Sequence, residues 1–147
     1  LSLDTENILL GNWYRPPSNE HDDFEELKEE LMELSKEATG VILLGDLNIH
    51  HRRWLHYSNA NTSNGNNLKV ICDDHGLIQH VHEPTRGPYL LDLFLSDVPG
   101  INIKLGPSIA DHKSVCAKLS LPEVLSYPVS RLGFRLHRAK WKDLRSD

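Results

Sequence analysis

Asp46 and Asn48 stand one residue apart, directly after the apolar run Val41-Ile42-Leu43-Leu44 and Gly45. In extended backbone, residues i and i+2 project to the same side, so this spacing aims a carboxylate and an amide at one spot. Asp92 lies inside Leu90-Leu91-Asp92-Leu93-Phe94-Leu95, a charged residue in an otherwise apolar segment. A buried carboxylate is costly without a partner. Asp111-His112 occurs just before the last alternating segment, and the His112 imidazole is an obvious partner for Asp92. Such a carboxylate would orient the ring and hold it protonated beside a phosphate. Each piece also has an ordinary reading. Gly-Asp-x-Asn is a common turn, Asp-His before a strand can be a cap, and an aspartate in an apolar strand can sit at an edge or pair with a lysine. In this order and together, they form a specific signal.

These residues need strands that end where they begin. Residues 7–14, Asn-Ile-Leu-Leu-Gly-Asn-Trp-Tyr, read as a strand stopped by Arg15-Pro16-Pro17, because proline removes backbone donors. Residues 22–38 read as a helix. Phe24, Leu27, Leu31 and Leu34 fall at helical spacing, the acid-rich first turn suits the helix dipole, and Gly40 is the expected stop. Val41 to Leu44 reads as a strand buried on both faces. Asn66 to His75 reads as a second helix with Leu68, Ile71 and Cys72 inward and Gly76 as its cap. Strands are expected at Leu77–Val81, Leu90–Ser96 and Ile101–Leu105. Another is expected at Ser114–Leu121, where Val115, Ala117, Leu119 and Leu121 alternate and Pro122 follows. The order implies a mixed α/β layered domain over residues 1–121. Residues 122–147 read as a connector. There are no internal repeats, no dinucleotide fingerprint and no P-loop.

The chain has 147 residues, 39% hydrophobic and 25% charged, as expected of one globular domain. No apolar run approaches the ~20 residues of a membrane span. The start, Leu1-Ser2-Leu3-Asp4, resembles neither a signal peptide nor a natural start, and reads as a cut inside a longer protein. The net charge of −5 does not exclude a nucleic-acid partner, because nine acidic and two basic residues fall between Glu20 and Glu37. That acidity belongs to one helix. The last 17 residues carry Arg131, Arg135, Arg138, Lys140, Lys142 and Arg145, either a nucleic-acid arm or a plain linker. Cys72 and Cys116 lie in apolar-periodic segments and read as buried free thiols. Nine histidines invite a zinc site, but no cysteine pair accompanies His50, His51, His56, His80 or His82 at finger spacing. Arg52 and Arg53 either hold nucleic-acid backbone or belong to a solvated loop, and Trp54 either stacks or packs. Trp13 and Trp141 read as packing residues, and Arg15 is open.

Four motifs, in order, resemble the endonuclease/exonuclease/phosphatase superfamily of DNase I and the AP endonucleases. They are Tyr14-Arg15-Pro16-Pro17, Gly45-Asp46-Leu47-Asn48, Leu91-Asp92-Leu93-Phe94-Leu95 and Ala110-Asp111-His112-Lys113. Within it, the Tyr-Arg-Pro-Pro motif, Glu83-Pro84-Thr85-Arg86 and the tail Phe134 to Trp141 are most similar to the endonuclease domain of non-LTR retrotransposons of the jockey or CR1 kind. The resemblance implies the C-terminal half to two-thirds of a four-layer α/β sandwich. It also implies a Mg²⁺-dependent (or Mn²⁺-dependent) phosphodiesterase that nicks DNA to prime reverse transcription. Its partners would be DNA and a downstream reverse transcriptase, its place intracellular and nuclear, with no membrane.

The resemblance implies these roles. Asp46 positions or deprotonates the attacking water, and Asn48 supports the nucleophile and the developing phosphorane. His112 contacts the scissile phosphate, with Asp92 orienting it. Asp111, together with Asp46, binds the metal, and Tyr14 lies near the phosphate. Thr85 matches a threonine that contacts the phosphate or the active site, and Arg52 and Arg53 adjoin the same substrate. The superfamily also carries an Asn and a metal-binding Glu before the tyrosine motif, and nothing here corresponds to them. Glu20, Glu25 and Glu26 follow Tyr14, so position rules them out. The expectation is therefore an incomplete metal site, an apolar sheet face lacking its partner, and negligible activity for this chain alone. The alternatives are a related phosphoesterase acting on a small phosphoester and a non-enzymatic remnant.

Overall fold

The computed structural model of the chain describes residues 7–17 and 24–120. The connector at 122–147 with Trp141, the basic tail, Glu20 and the first two residues of the expected helix lie outside them. β1 spans Ile8–Asn12, α1 Phe24–Leu34, β2 Gly40–Asp46, α2 Ser63–His75, β3 Ile78–Gln79, β4 Asp92–Ser96, β5 Asn102–Ile109 and β6 His112–Lys118. The character is α+β. A four-stranded sheet runs β1-β2-β4-β3, and β5 and β6 form a separate antiparallel pair. β1 lies parallel to β2, whereas β4 is antiparallel to both β2 and β3.

The two faces of the sheet follow from strand alternation. Leu9 and Leu43 turn toward Leu27 and Leu31 of α1. Ile8, Leu10, Ile42, Leu44 and Phe94 turn toward Ile109, Val115 and Leu119 of the β5–β6 hairpin. Val41, Ile42 and Leu43 are accordingly buried in succession, with covers on both sides. The hairpin does not close tightly. A cavity of about 760 Å³ separates it from the sheet, and Leu10 at 64% and Ile109 at 71% remain exposed. One core cluster joins Phe24 and Leu31 of α1 and Leu68, Ile71 and Cys72 of α2 to Leu93 and Leu95 of the sheet. Lys28 of α1 pairs with Asp74 of α2 at 3.3 Å.

Local chemistry sets the boundaries. α2 starts at Thr62, whose hydroxyl accepts the Gly65 N–H at 3.0 Å and donates to the His50 carbonyl at 2.9 Å. It ends at Gly76, with φ +67°, as the left-handed cap expected there. α1 ends differently from expectation. It tightens into a 3-10 turn over Ser35–Glu37, capped at Ala38, while Gly40 already belongs to β2. A Cβ at Gly40 would come within 2.6 Å of a Val98 methyl, so packing requires the glycine there. Leu34, expected inward, is 53% exposed at the last helical residue before that turn. The expected strand at 77–81 shrinks to Ile78–Gln79, where its ladder with Ser96 and Leu95 ends. β5 runs on to Ile109, past an irregularity between Leu105 and Ser108. Cys72 is buried as expected, but Cys116 is exposed. Alternation along β6 turns it to the side of Lys104 and Lys118.

Candidate active site

β2 carries Asp46 at its last position and β4 carries Asp92 at its first, and the antiparallel register sets the two directly opposite. The chain beyond β1 braces this end of the sheet. Trp13 N–H donates to the Leu44 carbonyl and Arg15 N–H to the Asp46 carbonyl, both at 2.9 Å. That close approach explains Gly45. Its φ is +144°, and a Cβ there would lie 1.9 Å from the Trp13 carbonyl oxygen.

β6 contributes His112 as its first residue. Nδ1 lies 2.8 Å from Asp92 Oδ2 and Nε2 lies 3.9 Å from Asp46 Oδ2. Ligand atoms of Asp46, Asp92 and His112 all fall within 4.8 Å of one another. Burial, and then the facing Asp92, push the Asp46 carboxyl above the ordinary carboxylate range, while His112 and the side chain and backbone of Asn48 pull it back. Asp46 Oδ1 is buried with no hydrogen-bond partner.

Asn48 joins the cluster by a different route from the extended pair expected. β2 stops at Asp46, Leu47 N–H bonds the Leu91 carbonyl at 3.0 Å, and Asn48 adopts φ +47°. Asparagine tolerates that left-handed conformation better than most residues. Its Nδ2 donates to the Arg15 carbonyl at 2.9 Å.

Other expected residues do not join this cluster of side chains. Thr85 is only 1% exposed, so its hydroxyl meets no solvent-borne phosphate. Instead Oγ1 accepts the N–H groups of Leu91 at 3.1 Å and Asp92 at 3.0 Å. Asp111 is exposed in the β5–β6 turn and pairs with Arg86 at 2.7 Å. A backbone hydrogen bond at Asp111 itself, and then Arg86, lower its carboxyl below the ordinary range. It is not one of the three clustered groups. Tyr14 is 67% exposed beside Arg15. Arg52 and Arg53 are exposed on the loop after Asn48, where Asn61 Oδ1 accepts the Arg52 N–H at 2.8 Å and the Asn59 carbonyl accepts its guanidinium.

The open readings resolve as packing. Trp54 packs against the core and donates Nε1–H to the Gly65 carbonyl at 3.2 Å. Trp13 meets Phe24 edge to face, with ring centroids 5.4 Å apart. Arg15 is 2% exposed, its guanidinium 5.8 Å from the Phe24 ring centroid. A buried arginine in this place carries no signal in the sequence. His50, His51, His56, His80 and His82 belong to no metal-type cluster among the described residues. His51 accepts Arg53 N–H at Nδ1 (3.2 Å) and so donates from Nε2 to Asn66 at 3.1 Å. His50 packs its ring edge-on to Tyr89, and burial lowers its pKa.

Two helices on one face of a mixed sheet, with a hairpin delivering an imidazole to carboxylates at the strand ends, define a DNase I-like endonuclease fold. The chain belongs to the endonuclease–reverse transcriptase family, whose profile matches residues 8–116. A similar solved structure is the endonuclease domain of TRAS1, a telomere-specific non-LTR retrotransposon, at 19% identity and a TM-score of 0.55. The match covers 76% of this chain and 57% of that one, so the chain spans little more than half the length of that domain. No curated protein matches the chain. No helix among the described residues is long and apolar enough to cross a membrane.

Proposed function

We propose that this chain carries the catalytic centre of a metal-dependent phosphodiesterase that nicks DNA for a non-LTR retrotransposon, priming reverse transcription by a downstream polymerase domain in the nucleus. The observation that carries the reading is the Asp46–His112–Asp92 cluster, within 4.8 Å, in a chain of the endonuclease–reverse transcriptase family. Asp92 fixes the imidazole from one side. The other ring nitrogen is left on the side of Asp46, where a water attacking phosphorus would sit. Asp46 orients that water and takes its proton. His112 contacts the phosphoryl oxygens. Asn48 steadies Asp46 and the developing phosphorane from its place against Arg15. Tyr14 and the exposed Arg52 and Arg53 meet the DNA backbone.

The donor set fits a divalent cation. A buried carboxylate oxygen without a partner, Asp46 Oδ1, is the kind of atom such an ion satisfies. Asp46 would hold Mg²⁺ or Mn²⁺, and Asp111 would join it on leaving its exposed pair with Arg86, a type of pair that is held weakly. When bound, the ion neutralises charge on the phosphoryl and leaving oxygens.

Nicking of supercoiled plasmid with Mg²⁺ tests the reading, using the polypeptide with whatever residues its gene encodes on either side. Asp46→Ala and His112→Ala should each lower the rate by about 10²–10⁴-fold. Undiminished nicking in both variants would overturn the assignment.

A further inference from the structure

We infer that Thr85 is a positioning residue that sets the distance between Asp92 and His112, a role that rests on the proposed use of these two residues. Asp92 and His112 lie on strands of different sheets, and no ladder joins β4 to β6. Something else must hold the two residues in register. Thr85 contacts both sides. Its Oγ1 accepts the N–H of Leu91 and of Asp92, fixing the entry of β4. Its carbonyl accepts the N–H of Lys113 at 2.8 Å, fixing the start of β6 beside His112. Its own N–H donates to the Tyr89 carbonyl at 2.9 Å, which closes the turn between Thr85 and β4. The next residue, Arg86, bridges His112 in antiparallel fashion.

The side chain is 1% exposed, so these bonds form away from competing water. A hydroxyl with two lone pairs can accept two N–H groups at once, whereas valine, its near-isostere, accepts none. Serine keeps the acceptor and loses only the methyl. The hydroxyl therefore acts on the reaction through Asp92, without touching substrate.

The experiment compares the full chain with Thr85→Val, Thr85→Ser and Thr85→Ala. The His112 Nδ1–H proton is followed by NMR, with far-ultraviolet circular dichroism as the check on folding. The native chain and Thr85→Ser should show a downfield His112 proton protected from exchange. In Thr85→Val and Thr85→Ala it should exchange at least about tenfold faster with the circular dichroism spectrum unchanged, in line with the usual cost of losing a supporting contact behind a site. Nicking by the same variants, in the polypeptide used above, should fall about 10–100-fold in kcat for valine, with KM for DNA unchanged and serine restoring the rate. Equal protection in valine and native protein overturns the inference. So does serine behaving like alanine, since the methyl would then be what matters. If valine and alanine fail to fold, serine alone decides, and loss of its protected proton overturns the role. A native polypeptide that shows the proton but does not nick counts against the proposed function and leaves the positioning role standing.

Discussion

The carboxylates of Asp46 and Asp92 face each other directly across the β2–β4 ladder. Like charges in that relation oppose one another. His112 is the one group of the cluster that can offset both, and it reaches them unequally, 2.8 Å from Asp92 and 3.9 Å from Asp46. Asp92 is the closer partner, and burial first, then the facing Asp92, leave Asp46 with a raised pKa.

That raised pKa makes ionised Asp46 a burden on the fold. Between the ordinary value of 3.8 and the native one, the folded chain holds a proton that the unfolded chain has released. Stability from this group is therefore fully present below the ordinary value and is lost as pH rises through the native pKa. Asp46→Asn removes the burden, so in metal-free buffer its Tm should exceed the native Tm. The gap should widen as pH rises above the ordinary value of 3.8, since Asp46 ionises only above it. Thermal melts at several pH values decide; a gap that stays flat with pH would contradict the raised pKa.

Activity should respond in the opposite sense. If Asp46 accepts the proton of the attacking water, it must be ionised. A cation on Asp46 favours its ionised form and so opposes the rise seen in the metal-free cluster. The acid limb of the nicking profile should therefore move to lower pH as Mg²⁺ is raised, and a limb that does not move with Mg²⁺ would count against Asp46 as both base and ligand.

Much of this was legible in the sequence, and the exceptions have physical causes. The Gly45-Asp46 break marks a strand end because a charged residue closes an apolar run, and β2 ends there; Asp92, expected inside a strand over Leu90–Ser96, instead opens β4, because the Leu91 N–H goes to the Thr85 hydroxyl rather than to a ladder. The i, i+2 spacing pairs Asn48 with Asp46 only in extended backbone, whereas Asn48 turns left-handed at φ +47°. Whether the strand stops at Asp46 depends on the Leu47–Leu91 bond, a long-range contact that local pattern does not encode. The burial of Thr85 and Arg15 is illegible for the same reason, since it depends on elements distant in sequence. Asp111 stands beside His112 in the chain, yet the tight turn before β6 points it outward to Arg86. Cys116 fell in an apolar rhythm, but a two-stranded hairpin covered on one side leaves alternate residues wet.

The two thiols should behave differently. Burial pushes Cys72 up to about 12, so almost no thiolate exists at neutral pH, while Cys116 is exposed. In native protein a disulfide reagent should titrate one thiol within minutes, and the second only after denaturant is added. The first to react should be absent from Cys116→Ser. Two fast thiols in native protein would mean that the α2 face of the core is open.

Gly45 is where the fold and the proposed site are most tightly coupled. A methyl there meets the Trp13 carbonyl at 1.9 Å, and backbone cannot rotate aside as a side chain can. Gly45→Ala must therefore push the Trp13–Arg15 segment away from β2, or else pull β2 out of register. Either movement disturbs the Arg15–Asp46 backbone bond and the carbonyl that holds Asn48. The φ of +144° adds strain, of order 1–3 kcal/mol for a residue with a side chain. Gly76→Ala is the natural comparison. Its φ is also positive, but nothing lies within 4 Å of a Cβ there, so it pays only the conformational cost. Denaturant melts should show Gly45→Ala as the more destabilised of the two, and plasmid nicking should fall in Gly45→Ala while Gly76→Ala keeps its rate. Equal nicking by the two variants would show that the close approach of Trp13 to β2 does not govern where Asp46 and Asn48 sit.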